Sequence, residues 1–141
     1  MDSSKPLSLS IESPHMQRVF QITEQGFITS LFQSHPSQTS LIYCHTDSEG
    51  MVVINNTEFS LGREDVSSFK YSDHRKSQLE DGGTRLEVVF AAPEPFKTGL
   101  SVTLIYEAFG AAPVLTKRIR IDNFSSLAVK LDRIRVEAII P

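Results

Sequence analysis

The chain has 141 residues, 40% of them hydrophobic and 22% charged, with 14 Lys+Arg against 17 Asp+Glu for a formal net charge of −3. That length suits one domain, and the mildly acidic balance offers no basic field to draw in nucleic acid or an acidic membrane surface. A lone cysteine excludes an internal disulfide, the composition is not that of a disordered chain, and no apolar stretch approaches the roughly 18 residues of a membrane-spanning helix.

Residues 1–16 read as a polar leader or a first edge strand, and 17–141 as a single β-sandwich domain. The start, Met1-Asp2-Ser3-Ser4-Lys5-Pro6, lacks an apolar run behind a basic cluster and so is not a signal peptide. The compartment stays open: cytoplasmic if Met1 is native, periplasmic or secreted if a leader has been removed. Residues 18–23 and 27–32 flank Glu24-Gln25-Gly26, which predicts a hairpin with a three-residue loop and Gly26 in the left-handed position. Residues 34–40, holding His35-Pro36, read as a loop, and 41–45 as a short strand. Residues 47–50 then turn into 51–54, Asn55-Asn56 breaks or turns the run, and 57–61 resume it.

Residues 62–85 are the least regular part and predict an exposed excursion with one short strand at 67–71. Leu86, Val88 and Phe90 alternate with polar neighbours, the period of a half-buried strand, until Pro93-Glu94-Pro95 ends it. Leu100, Val102, Leu104 and Tyr106 face one way, and Ser101, Thr103 and Glu107 the other. Leu115, Ile119 and Ile121 oppose Thr116, Arg118, Arg120 and Asp122, with Lys117 the exception on the apolar side. Leu127, Val129 and Leu131 are odd-numbered, whereas Ile134, Val136, Ala138 and Ile140 are even-numbered. One extra residue near Asp132-Arg133 explains the slip, and a β-bulge supplies it; a helix is the competing reading, against which the alternation and β-branched content weigh. The chain ends on this apolar pattern without a polar tail, which predicts a cut at a domain boundary, the alternative being a terminal strand docked in a sheet. Strands separated by turns throughout predict an all-β, antiparallel β-sandwich, or part of one.

Chemistry is sparse. His15, His35, His45 and His74 show no short ligand spacing, so neither a metal nor any other cofactor is expected. Cys44 reads as a small buried thiol, because its neighbour His45 would point to the opposite face of a strand. Glu64-Asp65 and Glu80-Asp81 lie among basic residues and read as solvated charge rather than a catalytic dyad. Lys117, Arg118, Arg120, Lys130, Arg133 and Arg135, with Asp122 and Asp132 between them, read first as a solvated sheet face and second as an anion or partner surface. The polar stretch Tyr71-Ser72-Asp73-His74-Arg75-Lys76 is the candidate binding loop, since binding residues concentrate on loops carried by a rigid scaffold. Tyr71, Asp73, His74 and Arg75 are therefore the candidate carbohydrate-binding residues, against the plain reading of an exposed loop.

The stretch 100–107 (Leu-Ser-Val-Thr-Leu-Ile-Tyr-Glu), then Ala112-Pro113-Val114-Leu115-Thr116-Lys117, then Ile119-Arg120-Ile121-Asp122-Asn123 and Val129-Lys130-Leu131-Asp132-Arg133-Ile134, resembles the N-terminal β-supersandwich domain of α-galactosidase-like, melibiase-type glycoside hydrolases. The strand order is similar to galactose-mutarotase-like sandwiches in general. The resemblance covers about 40 residues and its motifs are structural. In that family the catalytic aspartates lie on a separate (β/α)₈ barrel of about 250 residues, so no catalytic residue carries over. The resemblance implies a non-catalytic domain that packs on a catalytic barrel in cis and helps shape its cleft or the oligomer, with an oligosaccharide and a second copy as further partners. Two other functions compete: a stand-alone carbohydrate-binding or protein-interaction module, and a small mutarotase-like epimerase using His74 with a carboxylate such as Glu107.

Overall fold

Apolar alternation becomes strand almost everywhere in the computed structural model, which describes residues 7–24, 26–34, 41–42, 49–64, 68–94, 99–124 and 128–136. Four strands, β1 (Leu7–Glu12), β2 (Met16–Thr23), β3 (Gly26–Ser34) and β4 (Leu41–Ile42), form an antiparallel sheet in that order. The other seven are β5 (Gly50–Ile54), β6 (Thr57–Leu61), β7 (Ser68–Gln78), β8 (Thr84–Ala91), β9 (Leu100–Ala108), β10 (Leu115–Asn123) and β11 (Leu131–Arg135). They make a second sheet in the order β10-β9-β8-β7-β6-β5-β11. The fold is the all-β sandwich that the sequence predicts. Among the described residues one parallel junction occurs, joining β6 to β7 through two pairs, Ser60 with Ser68 and Leu61 with Phe69.

The core fills the space between the sheets. Ile11, Phe20 and Phe27 come from the smaller one, and Val52, Ile54, Phe69, Leu86, Val88, Phe90, Val102, Leu104 and Tyr106 from the larger, all essentially inaccessible to solvent. Phe20 meets Tyr106 at 4.8 Å between ring centroids, and Phe27 meets Phe90 edge-on at 5.6 Å. Burying each such ring is worth about 1.5–3 kcal/mol, so these contacts dominate the cohesion of the two layers.

Several local expectations take a different form. Residues 68–78 are one long strand, not a loop with a short strand before it. Its sequence hides the alternation because only the first part covers the core; farther along, inward-side Lys76 reaches past the core edge to Glu12 at 2.7 Å. The β2–β3 hairpin exists, but Thr23 pairs with Gly26, so its loop is two residues long and Gly26 belongs to the strand. Leu7–Glu12, within the stretch read as leader or edge strand, is the edge strand β1. The expected bulge in the last strand is present: Leu131 faces Ile54 and Arg133 faces Val53, leaving Asp132 extra. Asn55 and Asn56 both adopt positive φ and close the β5–β6 hairpin, as a two-residue turn of the primed type requires. The loop at 35–40, Cys44 and His45, and the strand pattern beyond Val136 lie outside the described residues. Among the described residues there is no helix, hence none long and apolar enough to cross a membrane.

Gly26 has its own reason for being glycine. Its φ is 122°, and a Cβ there would collide with the Gly62 carbonyl. That carbonyl accepts the Phe27 N–H at 2.6 Å, tying the start of β3 to the turn after β6. Gly82 also has positive φ, at 87°, but with open space around it. Gly26→Ala is therefore expected to destabilise the protein by at least about 2 kcal/mol, and Gly82→Ala by about 1 kcal/mol. Urea unfolding of the two variants beside the parent checks the difference.

Candidate functional site

The four residues singled out from sequence do not form one site. They lie on β7, where neighbours project to opposite faces. His74 pairs with Val88, whose side chain is in the core, while Asp73 and Arg75 pair with Val89 and Glu87 on the outer face. A bulge between Tyr71 and Asp73 returns Tyr71 to the inner side, opposite Phe90. Tyr71 and His74 thus come together, their Oη and Nδ1 sharing a hydrogen bond of 2.7 Å, and Tyr71 stacks on Phe27 at 5.8 Å. Burial raises the Tyr71 pKa, and the Asp73 carboxylate adds to the effect. The pairing of His74 with Glu107 fails on the same ground: Glu107 leaves the outer face of β9, on the row of Arg85, whereas His74 lies on the row of Val88 and Leu104.

The densest polar chemistry lies between the sheets. Even-numbered Met16, Arg18 and Phe20 point inward from β2, so Arg18 enters the core, where its side chain is 1% exposed. Glu49, just before β5, is fully buried. Its carboxylate accepts from Arg18 Nη2 at 3.2 Å, from the Thr29 N–H at 3.1 Å and from the Tyr106 hydroxyl at 2.6 Å. Thr29 Oγ1 lies 2.9–3.0 Å from both carboxylate oxygens and itself accepts from Arg18 Nε at 3.1 Å. Lys117, the exception on the apolar side of β10, donates to the Glu49 backbone carbonyl at 2.6 Å and stands 3.7 Å from its carboxylate. Both cations also lie over the Tyr106 ring, at 5.2 and 5.4 Å. Tyr106 is therefore wholly buried, with its hydroxyl inside the core.

A second cluster occupies the outer face of β8–β10. Arg85 grips one oxygen of Glu107 through Nε at 3.0 Å and Nη2 at 2.8 Å, and Arg118 holds the other at 2.9 Å. The Arg85 hydrogen bond holds the Glu107 carboxyl below the ordinary carboxylate value; burial opposes this and Arg118 reinforces it. Arg85, Glu87, Ile105, Arg118, Ile119 and Arg120 line an open concavity of about 440 Å³ on this face. The basic run thus divides: Lys117 goes inward, Arg118 and Arg120 outward on β10, and Arg133 and Arg135 to β11 at the opposite sheet edge. Asp81, half of a sequence-adjacent carboxylate pair, caps the backbone N–H groups of Gly83 and Ala111 at 3.0 and 3.1 Å. Among the described residues, no group of three or more His, Cys, Asp or Glu could hold a metal ion.

Compared with known proteins, the chain matches no family model, no curated protein and no solved structure. The geometry alone therefore assigns roles. Arg18 could have been found in the sequence, from its shared parity with Phe20 and Ile22, and Lys117 is visible there as an inward charge. Glu49 carries no local signal.

Two measurements test these clusters. Tyr106→Phe leaves a buried carboxylate one donor short and is expected to cost about 1–3 kcal/mol, while Glu49→Ala strands Arg18 in the core and costs about 3–5 kcal/mol; denaturant unfolding reads both. Because the folded pKa of Glu107 is depressed, its contribution is complete above the unfolded carboxylate pKa and is lost as pH falls through the folded one. The stability gap between the parent and Glu107→Gln should narrow steadily on acidification from about pH 6 to pH 3, and a gap that stays constant would contradict the clamp.

Proposed function

We propose that the chain is a non-catalytic β-sandwich domain of an α-galactosidase-like glycoside hydrolase, packing on a catalytic barrel in cis and helping to shape its cleft or oligomer. The resemblance of residues 100–134 supplies the family part of this reading, and the use of the buried polar groups supports its non-catalytic part. Arg18, Thr29, Glu49, Tyr106 and Lys117 brace one sheet against the other inside the sandwich, where solvent and substrate do not reach. The arrangement suits a rigid accessory body rather than a reaction centre. Apolar side chains on β11 support a docked neighbour: Leu131 and Ile134 are 46% and 37% exposed. The mutarotase-like alternative loses its proposed acid–base pair, since His74 and Glu107 occupy opposite faces.

The interaction-module reading is favoured by one observation, the concavity rimmed by Arg85, Arg118 and Arg120, and is compatible with an accessory domain. An assay of residues 1–141 with an aryl α-galactoside is expected to give no turnover above a heat-denatured sample. Hydrolysis that copurifies with the chain would overturn the non-catalytic reading.

A further inference from the structure

The outer concavity has an unusual distribution of engaged and unengaged groups. Glu107 is only 8% exposed although it points away from the core, and it fixes Arg85 and Arg118 in place from both sides. A guanidinium has five N–H donors. Arg85 spends two on Glu107 and Arg118 one, while Arg120 spends one on Asp122 at 3.1 Å. Most of their donors therefore remain without a partner among the described residues. Glu87 lies between them, paired in register with Ile105 on β9 and Arg75 on β7, and its carboxylate has no hydrogen-bond partner among the described residues. Ile105 forms the floor beneath them, outward-facing but almost wholly covered by its neighbours.

Charge balance decides what such a surface suits. Glu107 offsets Arg85 and Arg118 in part, Asp122 offsets Arg120, and Glu87 lies within the lining, so three guanidiniums meet three carboxylates and no strong net field draws an anion. What is left over is directional: spare donors on the arginines beside a spare acceptor on Glu87. A sugar hydroxyl both donates and accepts, and neighbouring hydroxyls on one ring present those functions at matching spacing. The volume lies within the 300–1,000 Å³ usual for small-ligand sites.

We infer that the outer face of β8–β10 is a saccharide-binding surface, in which Glu87 accepts from vicinal hydroxyls of a neutral sugar and Arg118 and Arg120 donate to them. The choice of galactosides as probes rests on the proposed family reading; the site itself rests on its geometry. Titration of the full chain with melibiose and raffinose, followed by NMR chemical-shift changes, should be saturable and should perturb β8–β10. Glu87→Gln and Arg118→Gln should each weaken binding about tenfold, the size expected for a charge-assisted hydrogen bond. Lys130→Gln, remote beside β11, should leave it unchanged. Sulfate and galacturonate serve as anionic comparators. Anions binding more tightly than the neutral sugars, perturbations centred on Tyr71 and His74, indifference to the Glu87 and Arg118 changes, or a flat titration would each overturn the assignment. A flat titration with no turnover leaves the accessory-domain reading standing, whereas turnover with saturable binding at β8–β10 removes that reading and keeps the site.

Discussion

A carboxylate taken wholly out of water is the constraint around which this sandwich is arranged. Desolvating Glu49 carries a penalty of several kcal/mol, which only opposite charge and hydrogen bonds in good geometry can offset. The donors that meet it come from both layers: Arg18 and Thr29 from the smaller sheet, Tyr106 from the larger. Lys117 adds a contact to the Glu49 backbone at 2.6 Å. Apolar packing between two sheets tolerates sliding, since one hydrophobic contact replaces another at small cost. A shared carboxylate does not, because a displacement of an ångström or two breaks several hydrogen bonds together. The cluster thus fixes how β2 and β3 sit over β9 and β10, and the tilted contact of Phe20 with Tyr106 follows from that placement.

The same two strands carry charge on both faces with opposite results. On the β9–β10 ladder, Tyr106 pairs with Lys117 on the inner face, while Glu107 pairs with Thr116 and lies beside Arg118 on the outer. Inward groups are closed in by the opposing sheet and have become structural. Outward ones meet only each other and solvent, so Glu107 is held tightly while the arginines above it keep donors in reserve. A charged β-ladder can therefore brace a fold on its inner side while leaving hydrogen-bonding capacity on its outer one.

Alternation made the sandwich legible. The strands built on Leu86 to Phe90 and Leu100 to Tyr106 follow directly from it, and the parity slip at 131–134 locates a bulge that the structure contains. The stretch 68–78 was not legible, because its length is set by pairing with β8 on one side and by Glu12 receiving Lys76, both contacts distant in sequence. The candidate site was legible only in part. Lys117 announces itself as a charge among apolar positions, but its meaning depends on Glu49, 68 residues away. The grouping of Tyr71, Asp73, His74 and Arg75 assumed a loop; on a strand, consecutive residues separate onto two faces.

Bulges decide which polar residues enter the interior. In β3, Val19 faces Leu31 and Phe20 faces Thr29, so Ser30 is extra. Continued without that insertion, the pairing would place Ser30 opposite Phe20 and turn Thr29 to the outside, away from Glu49. In β7 the omitted residue is Ser72, and the same reasoning keeps Tyr71 against Phe27 while sending Asp73 outward. A one-residue insertion that would be a defect in a purely apolar sheet here selects the side chain that completes a hydrogen-bonded cluster. The two bulges belong with the polar groups they position: Thr29 can serve the buried carboxylate only because Ser30 is looped out, and Tyr71 can reach His74 only because Ser72 is.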